Sequence, residues 1–125
     1  MRYSLLLNNE EPAEGQISEE DLATFRTAFD LYAKSLNDSG VLVSADILQP
    51  VAASTTVTLR GGSLQVQDGP FAVTKEQLAG SFVIDVPDLD AAIAWAEKCP
   101  GAQYGVIEIR PSAIVFRDGQ WHSTI

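Results

Sequence analysis

One cysteine, Cys99, and one histidine, His122, are all that this chain carries of the two side chains most used to ligate transition metals. No pair of such residues stands at metal-ligand spacing, and an intramolecular disulfide is excluded. Basic residues are scarce too: eight Lys and Arg stand against 17 Asp and Glu, a formal charge of −9. A chain of that charge repels polyanions, and no local basic patch offsets it, so no direct contact with nucleic acid is expected. No glycine-rich loop opens a helix in the phosphate-binding pattern, and no serine sits in a nucleophile elbow. Neither a metal nor a cofactor is therefore expected. No apolar run approaches the roughly 20 residues needed to cross a bilayer. The opening MRYSLLL reads as a strand rather than a basic stretch with an apolar core and cleavage site. The expectation is a cytoplasmic protein with no membrane contact.

What is present suits a single globular domain over residues 1–125: 46% of residues are hydrophobic and 20% charged, enough for one core. Acid is concentrated in Glu10, Glu11, Glu14, Glu19, Glu20 and Asp21, which reads as a solvated loop and first helical turn rather than a metal site. Residues 2–8 alternate Tyr3, Leu5 and Leu7 against Arg2, Ser4 and Leu6, a strand pattern. Ser18, three residues before Asp21, is a helix N-cap. The apolar stripe Leu22, Phe25, Phe29, Tyr32 and Leu36 follows at helical spacing, with Gly40 as the stop. Residues 41–48 read as a second strand closed by Pro50. Residues 55–60 and 63–67, joined by Gly61-Gly62, read as a hairpin whose two-residue turn sets Leu59 opposite Leu64 and Val57 opposite Val66.

Residues 81–86 alternate again, with Phe82, Ile84 and Val86 on one face and Ser81, Val83 and Asp85 on the other. Asp88 caps a short helix whose buried stripe is Leu89, Ala92, Ile93 and Ala96, with Trp95 and Cys99 at its edge and Pro100-Gly101 as its stop. Residues 105–110 form a further strand, with Ile107 and Ile109 inward and Glu108 and Arg110 opposite. Asp118-Gly119 makes residues 112–125 a terminal hairpin or an arm that joins another sheet edge. This order predicts an α+β, ferredoxin-like fold with an inserted hairpin, both helices covering one face of an antiparallel sheet. The other face mixes Arg2, Ser4, Ser81, Asp85, Glu108 and Arg110 with Leu6, Val83 and Val106. Two such faces stacked together would make a homodimer.

Asp68-Gly69-Pro70-Phe71, Lys75-Glu76, Asp85-Val86, Asp88-Leu89-Asp90-Ala91-Ala92, Trp95-Ala96, Cys99-Pro100 and Glu108-Ile109-Arg110-Pro111, in this order and spacing over about residues 1–112, resemble the DGPF-domain proteins of the YCII-related superfamily. The resemblance implies a dimeric ferredoxin-like α/β barrel. It also implies association with an extracytoplasmic-function sigma factor, the basis on which some relatives carry the label of transcription initiation. Other relatives include a dehydrochlorinase-type enzyme whose proposed chemistry uses a histidine with an aspartate near the end of the first helix. The position matching that histidine is Phe29 here, before Tyr32, and a phenyl ring transfers no proton.

Two readings stay open for the candidate site. Asp68-Gly69-Pro70 either stops one strand and starts another, or frees Asp68 at a barrel mouth beside Lys75 and Glu76 as an acid, base or hydrogen-bond acceptor. Glu108 and Arg110, on a strand expected to be central, either form an ion pair with Asp85 or with a twofold mate, or face a cavity. In the second case Arg110, with Lys75 and Asp85, would bind a small anionic or enolisable compound while Asp68 or Glu108 moves a proton. Tyr32 and Trp95 read as core. Cys99, at a helix C-terminus, is not expected to be a nucleophile. The function expected is a homodimeric small-molecule-binding or sigma-factor-associated accessory protein, or alternatively a cofactor-independent lyase or isomerase.

Overall fold

The structure is a computed structural model that describes residues 1–13 and 15–124. Glu14 of the acidic run and Ile125 of the terminal segment lie outside the described residues. Strand β1 (Arg2–Asn9) leads to α1 (Glu19–Asp38) and β2 (Leu42–Ile47); β3 (Thr55–Arg60) and β4 (Ser63–Asp68) follow, then β5 (Gln77–Asp85), α2 (Leu89–Lys98), β6 (Val106–Pro111), β7 (Ile114–Arg117) and β8 (Gln120–Ser123). Four strands form an antiparallel sheet in the order β2-β5-β1-β6, and β3-β4 and β7-β8 are separate two-stranded ribbons. That order, with a helix in each crossover, is the ferredoxin-like arrangement. The sheet is open at both edges.

Local chemistry explains the elements. Ser18 Oγ accepts the Asp21 N–H at 3.1 Å at the start of α1, and Glu19, Glu20 and Asp21 place negative charge at the positive end of the helix. Gly40, at φ +75°, lets the chain leave, with the Val41 N–H returning to the Leu36 carbonyl. Asp88 Oδ1 accepts the Ala91 N–H at 2.9 Å and starts α2. At the tip of the inserted ribbon Gly61 and Gly62 both have positive φ, as a two-residue hairpin turn requires. The register is the expected one, Val57 opposite Val66 and Leu59 opposite Leu64.

The core lies between the helices and one sheet face. Tyr3, Leu5 and Leu7 of β1 and Phe82 and Ile84 of β5, with Val86 just beyond it, meet Tyr32 and Leu36 of α1 and Ala92, Ala96 and Cys99 near α2. Ile107 and Ile109 pack on it from β6. Two expectations need correction. Of the expected α2 stripe Ala92 and Ala96 are buried, whereas Leu89 and Ile93 are about half exposed and Cys99 takes up the remaining core position. Alanines let the helix approach the sheet closely, and Cys99 is drawn into the core instead of sitting at its edge. The strand holding Glu108 and Arg110 is an edge strand, β6, not a central one, because β1 is the inner strand that lies between β5 and β6. Strand β5 also begins earlier than expected, at Gln77, where a register shift opposite Leu7 and Asn8 admits an extra residue.

Candidate functional site

The stripe on α1 is longer than the sheet beneath it can cover. Its carboxyl-terminal members, Tyr32 and Leu36, are buried at 5% and 0% exposure, whereas Phe25 and Phe29 are half-buried and Leu22 is exposed. Under this amino-terminal half of α1 lies a cleft of about 920 Å³. Leu22, Phe25, Arg26, Phe29, Asp30 and Ala33 line it from the helix, Phe82 and Ala79 from β5, and Ala45 to Pro50 from β2 and its continuation. Gly101 and Tyr104 close one end, and Glu10, Glu11, Pro12 and Ile17 come from the segment between β1 and α1.

Aromatic rings frame the space. Phe25 meets Tyr104 edge-on with centroids 5.3 Å apart, and Phe29 lies nearly parallel to Phe82 at 6.3 Å. Burial, then the neighbouring Cys99 thiol, pushes the Tyr104 phenol above its usual value, so it stays a neutral donor. Glu11 Oε1 accepts the Val51 N–H at 2.9 Å, tying the β1–α1 segment to the turn after β2. Asp30 is held by Lys34, whose Nζ lies 2.8 Å away one helical turn on. Arg26 has no ion pair among the described residues.

None of Asp68, Lys75, Asp85, Glu108 and Arg110 lines this cleft. The structure brings Glu108 and Arg110 together on the open sheet face, 3.9 Å apart and both exposed. Opposite Arg2 on the same face, Asp85 Oδ1 lies 3.1 Å from the Met1 amine. Asp68 ends β4 opposite Thr55, and Lys75 follows in the turn before β5. No hydrogen bond or ion pair among the described residues joins either to Glu108 or Arg110. Gly69 donates its N–H to the Ser54 carbonyl, has φ +109°, and accepts the Thr56 hydroxyl at 2.8 Å, so this turn is fastened through its backbone. His122 Nε2 donates to the Arg117 carbonyl at 3.1 Å within the terminal ribbon.

Sequence reasoning placed Phe25 and Phe29 in a core stripe and gave Arg26 and Tyr104 no role. The available signal was the length of that stripe, five apolar positions on a helix that a four-stranded sheet meets only toward its end.

The family model of the YCII-related domain matches residues 1–113. The chain belongs to the YCII-related family. It is 33% identical over 116 residues to the uncharacterised protein R00369 of Rhizobium meliloti (strain 1021), a match covering 91% of this chain and 94% of that one. In this YCII-related chain Phe29 is part of the cleft wall. No helix among the described residues is long and apolar enough to cross a membrane.

Proposed function

We propose that this YCII-related protein is a homodimeric accessory protein that binds a small molecule in the cleft beneath α1 without turning it over. The cleft itself carries the reading: about 920 Å³ falls in the range of pockets that enclose drug-sized molecules, roughly 300–1,000 Å³. Its walls are apolar and aromatic, and a phenyl ring stands at the one position where proton transfer would be looked for. A phenyl ring there, in place of a group able to carry a proton, favours binding over turnover.

The homodimer draws support from the other side of the sheet. Leu6, Val83 and Val106 share that face with Arg2, Arg110, Glu108, Asp46 and Asp85, a mixed set of charges that a twofold axis could pair. The inserted ribbon adds Val57, Leu59, Leu64 and Val66, each 60% or more exposed on one of its faces. Apolar surface of this extent marks a protein contact. Two sheets stacked in this way make the dimeric barrel, and a sigma factor is the competing occupant of the ribbon.

Size-exclusion chromatography with light scattering tests the assembly. Twice the chain mass is expected for the wild type, with Val83→Lys and Leu59→Asp shifting it toward the chain mass while circular dichroism is unchanged; a wild-type monomer removes the dimer. If the monomer then forms a stable complex with an extracytoplasmic-function sigma factor, the ribbon belongs to that partner. The alternative, catalysis by Asp68 or Glu108 with Arg110 at the open face, makes a different prediction. Glu108→Gln and Arg110→Ala are expected to leave ligand binding unchanged, and loss of binding in both would move the site to the open face.

A further inference from the structure

The walls of the cleft bear on what it binds, and the inference rests on the cleft being the ligand site. Its volume of about 920 Å³ exceeds what a small acid or lactone fills. The rings of Phe25, Phe29 and Tyr104 and the side chains from β2 ask for a bulky apolar body. Charge then selects the head group. Asp46 is paired with Ser81 and therefore directs its side chain to the open sheet face. Asp30 shares its charge with Lys34. Glu10 and Glu11 remain against the single guanidinium of Arg26, so the rim is net negative within a chain of formal charge −9. Glu11 spends one oxygen on the Val51 N–H, while the Glu10 carboxylate has no partner among the described residues. A carboxylate entering here meets like charge; an ammonium meets Glu10 at the rim and aromatic faces within.

We propose that the cleft takes a bulky apolar molecule with a positively charged head, an arylalkylamine in chemical class, and discriminates against the matching acid. Isothermal titration of the full chain with naphthylethylamine, naphthylethanol and naphthylpropionate tests this, since the three probes share a skeleton and differ in head charge. The amine is expected to bind most tightly and the acid about five- to tenfold more weakly, the effect of one net charge at a solvated rim. The gap should narrow as salt is raised. Glu10→Gln should weaken the amine and leave the alcohol unchanged; Arg26→Ala should leave the amine as tight or tighter. Equal binding of all three would overturn the head-group assignment and leave the cleft standing as the site. Tightest binding by the acid, lost in Arg26→Ala, would reverse the assignment. No binding by any probe, with no thermal shift, would remove the cleft as the ligand site and this inference with it. Melting curves of both variants, expected to match the wild type, separate loss of binding from loss of fold.

Discussion

Tyr32 joins the two helices at a single atom. Its ring is buried against Phe82, edge-on at 5.0 Å, and its hydroxyl donates to the Trp95 carbonyl at 2.8 Å. Burial pushes the phenol far above its usual value, and the Cys99 thiol nearby adds to the shift. Cys99 and Tyr104 are raised for the same first reason, burial. A group whose native pKa is raised contributes its stability fully below its unfolded pKa and loses it as pH climbs through the native value. Unfolding free energy should therefore hold near neutrality and fall first above about pH 8.5, where an unfolded cysteine titrates, then above about pH 10 with the tyrosines. Tyr32→Phe should cost about 1–2 kcal/mol at neutral pH by leaving the Trp95 carbonyl unpaired, yet show a shallower alkaline decline. Urea unfolding at three pH values checks both, and an equally steep decline in the variant would assign the alkaline loss to other groups. Gly80 offers a second test. A Cβ there would stand 2.5 Å from the Asp46 carbonyl oxygen, so Gly80→Ala should force β2 from β5 at about 1–3 kcal/mol. Because β2 lines the cleft, probe affinity should fall with it.

The elements differ in how much of them the sequence disclosed. Ser18, Gly40 and Asp88 marked helix ends by their own hydrogen-bonding chemistry, and the Gly61-Gly62 turn dictated the register of β3 and β4 without any tertiary information. The alternation in β1 and β5 identified the buried face for the same reason, since a pleated strand sends successive side chains to opposite sides. What stayed hidden depends on contacts between elements. Glu108 and Arg110 lie on an edge because β1, early in the chain, takes the place between β5 and β6, and no local pattern records strand order. Leu89 and Ile93 were expected inside because apolarity alone was counted, whereas the smaller Ala92 and Ala96 allow closer approach to the sheet. The cleft was invisible because helical spacing shows which side chains share a face and not whether anything lies beneath them. At this scale the β3-β4 ribbon makes its own prediction. Its strands contact chiefly each other, and an isolated two-stranded hairpin is marginal in water. Leu59→Asp should thus leave the melting temperature of a dilute monomeric sample nearly unchanged, while lowering that of a concentrated wild-type-like assembly. Hydrogen exchange should find the ribbon amides protected only when protein is concentrated, and protection independent of concentration would mean that the ribbon needs no second chain.

On the proposed reading the two faces of the sheet divide the work across the whole molecule. One carries the helices and, where α1 outruns the sheet, the cleft; the other carries paired charges and uncovered apolar rows. Ligand binding and assembly are thus separable by mutation: Val83→Lys should alter mass and spare probe affinity, whereas Glu10→Gln should do the reverse. If either variant changed both readouts, the sheet would be transmitting one event to the other. The place of β1 has a further bearing on how the chain reaches this state. Its two neighbours in the sheet, β5 and β6, come from the second half of the chain, with Tyr3 paired to both Ile84 and Pro111. During synthesis β1 leaves the ribosome before either partner strand exists, so its backbone hydrogen-bonding edges wait unpaired until β5 and β6 are made. Contacts so distant in sequence slow folding. Both edges of β1 therefore stay open to pairing with any other extended segment until β5 and β6 take their places.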